Sequence, residues 1–171
     1  MSKGFYIPQD GHIVQMINVH DFTGHDTNGF IVSMENYNHL TIIVSMGASP
    51  RAAAVITVES CSNLAAYNVA PTTATAIPFS YQAVIVDSIV AGNDVFGVRT
   101  AVAVAATGIV PVAGTPDNVM YVIDLDSSQL VSGHVGFRID IVNPANACLA
   151  SVIGILSGSR YASEQSASAT V

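Results

Sequence analysis

The sequence predicts an all-β protein, an antiparallel β-sandwich of jelly-roll type with about eight strands. Three observations predict it. Every periodic segment alternates with period two, the repeat of a strand with one face toward a core. Those segments recur at spacings of about ten to twenty residues, separated by Gly, Pro, Ser and Asn. No amphipathic helix of ordinary length interrupts them.

The cleanest alternation lies in residues 118–143, NVMYVIDLDSSQLVSGHVGFRIDIVN. Tyr121, Ile123 and Leu125 alternate with Val122, Asp124 and Asp126; Val135, Phe137, Ile139 and Ile141 alternate with Gly136, Arg138, Asp140 and Val142. The Ser/Gly-containing connection DSSQLVSG has hairpin length, so the stretch reads as a two-stranded antiparallel unit with its charged residues on one outward row.

The other elements follow in order. Residues 1–11 read as an extended arm, with Pro8 and Asp10-Gly11 as turn signals, and 13–19 as a first strand. FTGHDTNG is a loop by composition. In 30–35, Phe30, Val32 and Met34 alternate with Ile31, Ser33 and Glu35 to give a second strand. YNHLTIIVSM, 37–46, is a third, and its β-branched centre suits a strand covered on both faces. After the turn MGASPR, 53–60 is a fourth. Residues 61–76 are a loop of small and polar residues with one short helical turn at 62–67. Strands follow at 77–85, with Pro78 favouring its start or an edge, and at 94–106. Pro144-Ala145-Asn146 turns the chain into a final strand at 148–157. A single domain over 12–161 results, followed by the small polar tail 162–171, which has the composition of a flexible terminus.

Composition narrows the function. The chain has 171 residues, enough for one domain with a substantial core. Half of them are apolar and only 10% are charged, against about a quarter in an average soluble protein. A surface so poor in charge points to contacts with other chains. The net charge is −7, and Lys3, Arg51, Arg99, Arg138 and Arg160 are scattered singly, which argues against nucleic acid, whose phosphates need clustered cations. Apolar runs are too short or too broken for a membrane span, and the N-terminus lacks the apolar region of a signal peptide. Cys61 and Cys148 read as two buried reduced thiols or, alternatively, as a long-range disulfide.

Few constellations suggest chemistry. His20-Asp21 and His25-Asp26, with His12 upstream, are the best metal candidate, but no further ligand at a recognisable spacing accompanies them, and solvated or turn-closing side chains are the simpler reading. Asp124, Asp126 and Asp140 resemble a paired-carboxylate set; with Arg138 in the same row, a solvated sheet face accounts for them. Neither SGSRY nor MGASPR continues as a phosphate loop, and no serine lies in a nucleophile motif. Phe79, Tyr81, Phe96, Tyr121 and Phe137 read as core, and the lack of tryptophan weakens a sugar-stacking role. No catalytic, cofactor-binding or metal-binding residue is therefore assigned.

The order of landmarks YIPQDGHIVQMIN, IPFSYQA, FGVRTA, YVIDLD and ILSGSRYA resembles a group of small β-rich virion proteins encoded beside capsid genes in tailed bacteriophages. The resemblance runs from Tyr6 to Ala162 and rests on turns and strand ends, not on chemical motifs. It implies a head decoration or cement protein, made in the host cytoplasm and carried on the capsid surface. Its partners would be the major capsid protein and itself, as a homotrimer or another symmetric oligomer, with the ends 1–11 and 157–171 reaching neighbours. It implies no enzyme activity and no cofactor. The alternatives are a neck, tail or fibre component, a glycan-binding jelly-roll module, and a metal enzyme built on His20, His25 and Asp26.

Overall fold

In this computed structural model, residues 11–21, 27–47, 54–85, 95–111, 118–142 and 149–159 are described. The strands are β1 (Gly11–Asp21), β2 (Thr27–Asn28), β3 (Val32–Ser33), β4 (Tyr37–Met46), β5 (Val55–Cys61), β6 (Ala74–Ala76), β7 (Phe79–Ile85), β8 (Thr100–Val102), β9 (Val119–Asp126), β10 (Gly136–Val142) and β11 (Leu149–Ser159). Two short 3-10 turns, Ala105–Thr107 and Ser127–Gln129, are the helical elements among the described residues. The arm before Gly11 and the tail 162–171 lie outside them.

Two antiparallel sheets result. The first has the order β1-β11-β4-β9-β7-β8; the second has β2-β10-β5-β6, with β3 also paired to β10. The chain crosses between the sheets at β1–β2, β3–β4, β4–β5, β6–β7, β9–β10 and β10–β11. If β2 and β3 count as one broken strand and β7–β8 as an added pair, eight strands remain in the order of a jelly roll, two Greek keys folded together.

Alternation explains why the sheets stack. Leu40, Ile42, Val44 and Met46 of β4, Tyr121, Ile123 and Leu125 of β9, and Val152 and Leu156 of β11 point inward from the first sheet; Ile56 and Val58 of β5 and Phe137, Ile139 and Ile141 of β10 meet them from the second. All belong to one continuous core. Burying each such side chain contributes about 1.5–3 kcal/mol before the entropy of ordering is subtracted.

Several local expectations are corrected. Residues 118–143 do not form a hairpin: β9 pairs with β4 and β7, β10 pairs with β5, β2 and β3, and the connection crosses the edge of the sandwich. Alternation places one face of each strand inward but does not name its neighbour. The strand expected over 30–35 shrinks to Val32–Ser33, while Thr27–Asn28, expected as loop, also pairs with β10. Ile31, Val32, Ser33 and Met34 are all buried, so this segment is covered on both sides, whereas β4 is fully covered on one, with Ser45 exposed and Ile43 half-buried on the other. No helical turn forms at 62–67, and β6 emerges from the segment read as loop. Of the strand expected over 94–106, the described residues form a regular strand at Thr100–Val102.

The β1 edge is bent by design of its register. Pairing with β11 slips between Gln15 and Ile17 and again between Ile17 and His20, so Met16 and Ile17, consecutive in sequence, are both buried. Gln15 Nε2 donates to Ile17 O at 2.6 Å within the first irregularity. The bend turns Met16 O toward Phe30 N (2.9 Å), and Gly29 N donates to Ile139 O (2.8 Å), which ties β1 of one sheet to β10 of the other.

Gly154 is the tightest point of the inner face of β11. A Cβ there would lie 2.9 Å from Val14 Cγ2 and 3.1 Å from both Leu40 Cδ1 and Met16 Sδ. Strand propensity favours valine over glycine, and packing opposes it. Gly154→Val is expected to lose about 1–3 kcal/mol, measured as a lower urea midpoint at unchanged slope; a midpoint equal to or above the parent's would contradict the packing described.

Candidate functional site

Outward-facing residues of β4, β7, β8 and β9 enclose an open depression of about 520 Å3 on the first sheet. Its origin is local. Pro78 has no amide to donate, and the β7–β9 ladder stops at Tyr81–Ile123, so Asp124 and Asp126 run on past its last paired position. The depression is lined there by His39, Asp124, Asp126 and Gln129 on the β4–β9 side and by Arg99 and Ala101 on the β8 side.

Register builds the polar wall. His39 lies directly across from Asp126, and Thr41 across from Asp124. His39 Nδ1 is 3.0 Å from Asp126 Oδ1 and its Nε2 is 3.4 Å from Asp124 Oδ1, while Thr41 Oγ1 donates to Asp124 Oδ1 at 2.9 Å. Gln129 Oε1 accepts from Asp126 N at 2.8 Å, holding the 3-10 turn against the strand end. Cross-strand pairs of this kind contribute about 0.2–1 kcal/mol each. The imidazole contacts two carboxylates and the Thr41 hydroxyl, which already donates to Asp124, and Arg99 stands apart, forming no ion pair among the described residues.

The second sheet's outer face is closed by the chain itself. Residues 62–73 loop over it, pinned at their ends by Ser62 N to Thr73 O and Thr73 N to Ser62 Oγ, both 3.0 Å. At the tip Asn68, with φ of 57°, exchanges bonds with Asn28: Asn28 N donates to Asn68 Oδ1 (2.8 Å) and Asn68 N donates to Asn28 O (3.2 Å). Ile31, Cys61 and Ala65 are buried as a second small cluster, with Leu64 packed on it. On the same outer face Arg138 lies opposite Glu59, and its Nε donates to Glu59 Oε2 at 2.5 Å. The Arg138 side chain is 7% exposed. Its Nη1 has no hydrogen-bond partner among the described residues.

Arg138 is therefore not a solvated partner of Asp124 and Asp126, as the hairpin reading implied. The three aspartates are divided between the sheets, Asp124 and Asp126 in the first and Asp140 in the second. Of the metal candidates, Asp21 ends β1, and His25 and Asp26 lie outside the described residues. Among the described residues no group of three or more His, Cys, Asp or Glu is placed to hold a metal ion, and no helix is long and apolar enough to cross a membrane. Cys61 is a free buried thiol, pushed up to about 12 by burial, with Arg138 pulling it down and Glu59 raising it; Cys148 lies outside the described residues. Ser60 Oγ is 2.9 Å from His134 Nδ1 but is fully buried and accepts from Val131 N at 3.1 Å, so it pins the β9–β10 crossing and offers no nucleophile. Phe79, Tyr121 and Phe137 are in the core and Tyr81 packs against it, edge-on to Tyr121 at 5.7 Å, whereas Phe96 is 50% exposed, a correction to its reading as core.

The sequence reading missed His39, Thr41, Glu59 and Arg99. His39 and Thr41 do carry the i, i+2 signature of one strand face, but only the β4–β9 register brings them to the aspartates. No family model, curated protein or solved structure matches this chain.

Two outcomes are expected. Glu59→Ala leaves the Arg138 charge buried and alone, and is expected to cost about 3 kcal/mol, whereas Glu59→Leu with Arg138→Met recovers most of the loss; a single variant as stable as the parent in urea would contradict a buried pair. The second concerns alkali. Burial favours the protonated Cys61 in the folded state, so above its ordinary value of 9.0 the unfolded chain loses the proton first, and stability falls as pH rises from 9 toward about 12. Tyr37 and Tyr67, both raised by burial, act with the same sign at higher pH. The urea midpoint should be lower at about pH 11 than at about pH 8, with a smaller difference in Cys61→Ala; a flat profile would contradict burial as the cause.

Proposed function

We propose that the chain is a structural protein of a tailed-phage virion, a capsid cement or decoration subunit that bridges and stabilises the head lattice, acting with no reaction and no cofactor. The observation that carries the proposal is apolar exposure at both opposite edges of the six-stranded sheet. On the β1 side Ile13, Val19 (77% exposed) and Leu149 face outward; on the β8 side Val95, Phe96, Val98 (88% exposed), Val104 and Val110 do. A bridging subunit needs two separated contact surfaces, and each valine covered by a neighbour adds about 1.5–3 kcal/mol of favourable burial, less the cost of association. Many identical weak contacts in a lattice then act together. The low charge of the chain and its resemblance to phage decoration proteins support the same reading, with the major capsid protein and further copies of this chain as partners.

Co-sedimentation with emptied, expanded capsids of the encoding phage, stripped of this chain, tests it. Saturable binding that raises the temperature of capsid disruption is expected, weakened about tenfold or more by Val19→Asp. Full-length chain that stays in the supernatant at saturating capsid would overturn the proposal.

A further inference from the structure

We infer that the β8 edge is a self-association surface, on which a second copy of this chain docks about a two-fold axis with its Arg99 against the Asp124–Asp126 wall. The inference rests on the cement reading and names the partner of one of its two edges.

Sheet edges are templates for pairing, and proteins blunt them with bulges, interruptions and charge. Most of the edges here are blunted. β1 is bulged twice, the β2–β3 edge is broken between two short pieces, and β6 is three residues long. The β8 edge differs. Gly97 N donates to Ala83 O at 2.9 Å and Gln82 Nε2 to Gly97 O at 3.1 Å, so alignment along β7 begins before β8 itself and runs to Val102. The sole charged side chain within 95–111 is Arg99.

The surface is also fixed in shape. Beyond β8, Thr107 bonds Val104 O through both its amide (3.0 Å) and its hydroxyl (2.6 Å). Ile109 then bridges to Ile56 of the other sheet, with N to O distances of 2.8 and 2.9 Å. Gly108 makes this bridge possible: its φ is +54°, and a Cβ would stand 2.4 Å from Ile56 O. Val98, Val104 and Val110 are thus exposed on a frame anchored at both ends, and little ordering entropy opposes their burial by a partner.

Charge selects the partner. The chain carries −7, and Arg99 is the exposed cation among the described residues, since Arg138 is buried. It borders the same depression as Asp124 and Asp126 but forms no ion pair with them. A uniformly acidic partner would meet the aspartates, and a uniformly basic one would meet Arg99. A second copy presents one cation and two carboxylates at matching separation, and a two-fold axis satisfies both at once, as an isologous interface requires.

Sedimentation equilibrium of the full chain across micromolar to near-millimolar concentration is the test, with thermal melts confirming that each variant is folded. Reversible dimerisation is expected. Val98→Ser with Val104→Ser should weaken it about tenfold or more, Arg99→Asp likewise, and Arg99→Asp combined with Asp126→Arg should restore most of the loss. A chain monomeric throughout, or variants that associate as the parent does, would overturn the inference, as would a charge-reversed pair no better than Arg99→Asp alone. Monomers that still bind capsids would overturn it while leaving the cement reading standing; dimers that ignore capsids would support it and remove that reading.

Discussion

The sandwich depends on β4. Its register with β11 runs from Tyr37–Ser159 to Met46–Ala150, and its register with β9 from His39–Asp126 to Met46–Val119, so it is hydrogen-bonded along both sides. Between those ladders Leu40, Ile42, Val44 and Met46 face the second sheet and are essentially fully buried. Few other elements combine two long ladders with four inward apolar side chains. Each neighbouring strand is then placed by its own alternation: it lies beside β4 or crosses to the facing sheet. The crossings at β3–β4 and β4–β5 start and end on this strand, and they give the fold its jelly-roll order.

The outer faces of the two sheets meet different fates. On the second sheet, residues 62–73 fold back over β5 and β10, which makes Cys61 inaccessible and leaves Arg138 and Glu59 as a buried pair. Buried pairs contribute little net stability compared with apolar residues of the same volume, but they penalise any register in which one charge is left alone. Arg138 stands opposite Glu59, and a one-residue slip of β10 would separate them while turning Phe137 and Ile139 outward. On the first sheet the depression bordered by His39, Asp124, Asp126 and Arg99 is open among the described residues.

Much of this was legible in the residues. The bounds of β4 are those read from YNHLTIIVSM, and β7 and β11 lie within two residues of their expected starts. The in–out pattern of Tyr121 to Asp126 is also as read. What escaped was neighbourhood. A period of two is the same for a hairpin strand and for a strand that crosses to another sheet, so β9 and β10 looked paired when they belong to different sheets. Arg138 looked solvated because nothing in 61–76 announces a covering loop; its closure depends on Asn28, which is distant in sequence. The polar wall was half visible: Asp124 and Asp126 stood out as carboxylates on one face, whereas His39 and Thr41 joined them only through a pairing between strands some eighty residues apart. Arg99, Val95, Val98 and Val104 read as part of one more strand, since composition cannot distinguish an apolar residue facing the core from an exposed one.

A protein with few charges, a self-sufficient core and apolar side chains on two opposite sheet edges has the physical profile of a repeated unit in a larger assembly. On the proposed reading, covering those edges would remove apolar surface from water, and the polar wall beside Arg99 would give the contact its direction. On the proposed cement reading, the most direct test is a density map of a phage virion that carries this chain. The account predicts this chain on the head lattice, with the β1 and β8 edges of each copy buried against neighbours and the face closed by residues 62–73 turned to solvent. Density that places the chain at the neck or tail, or on the head with both edges exposed, would contradict it.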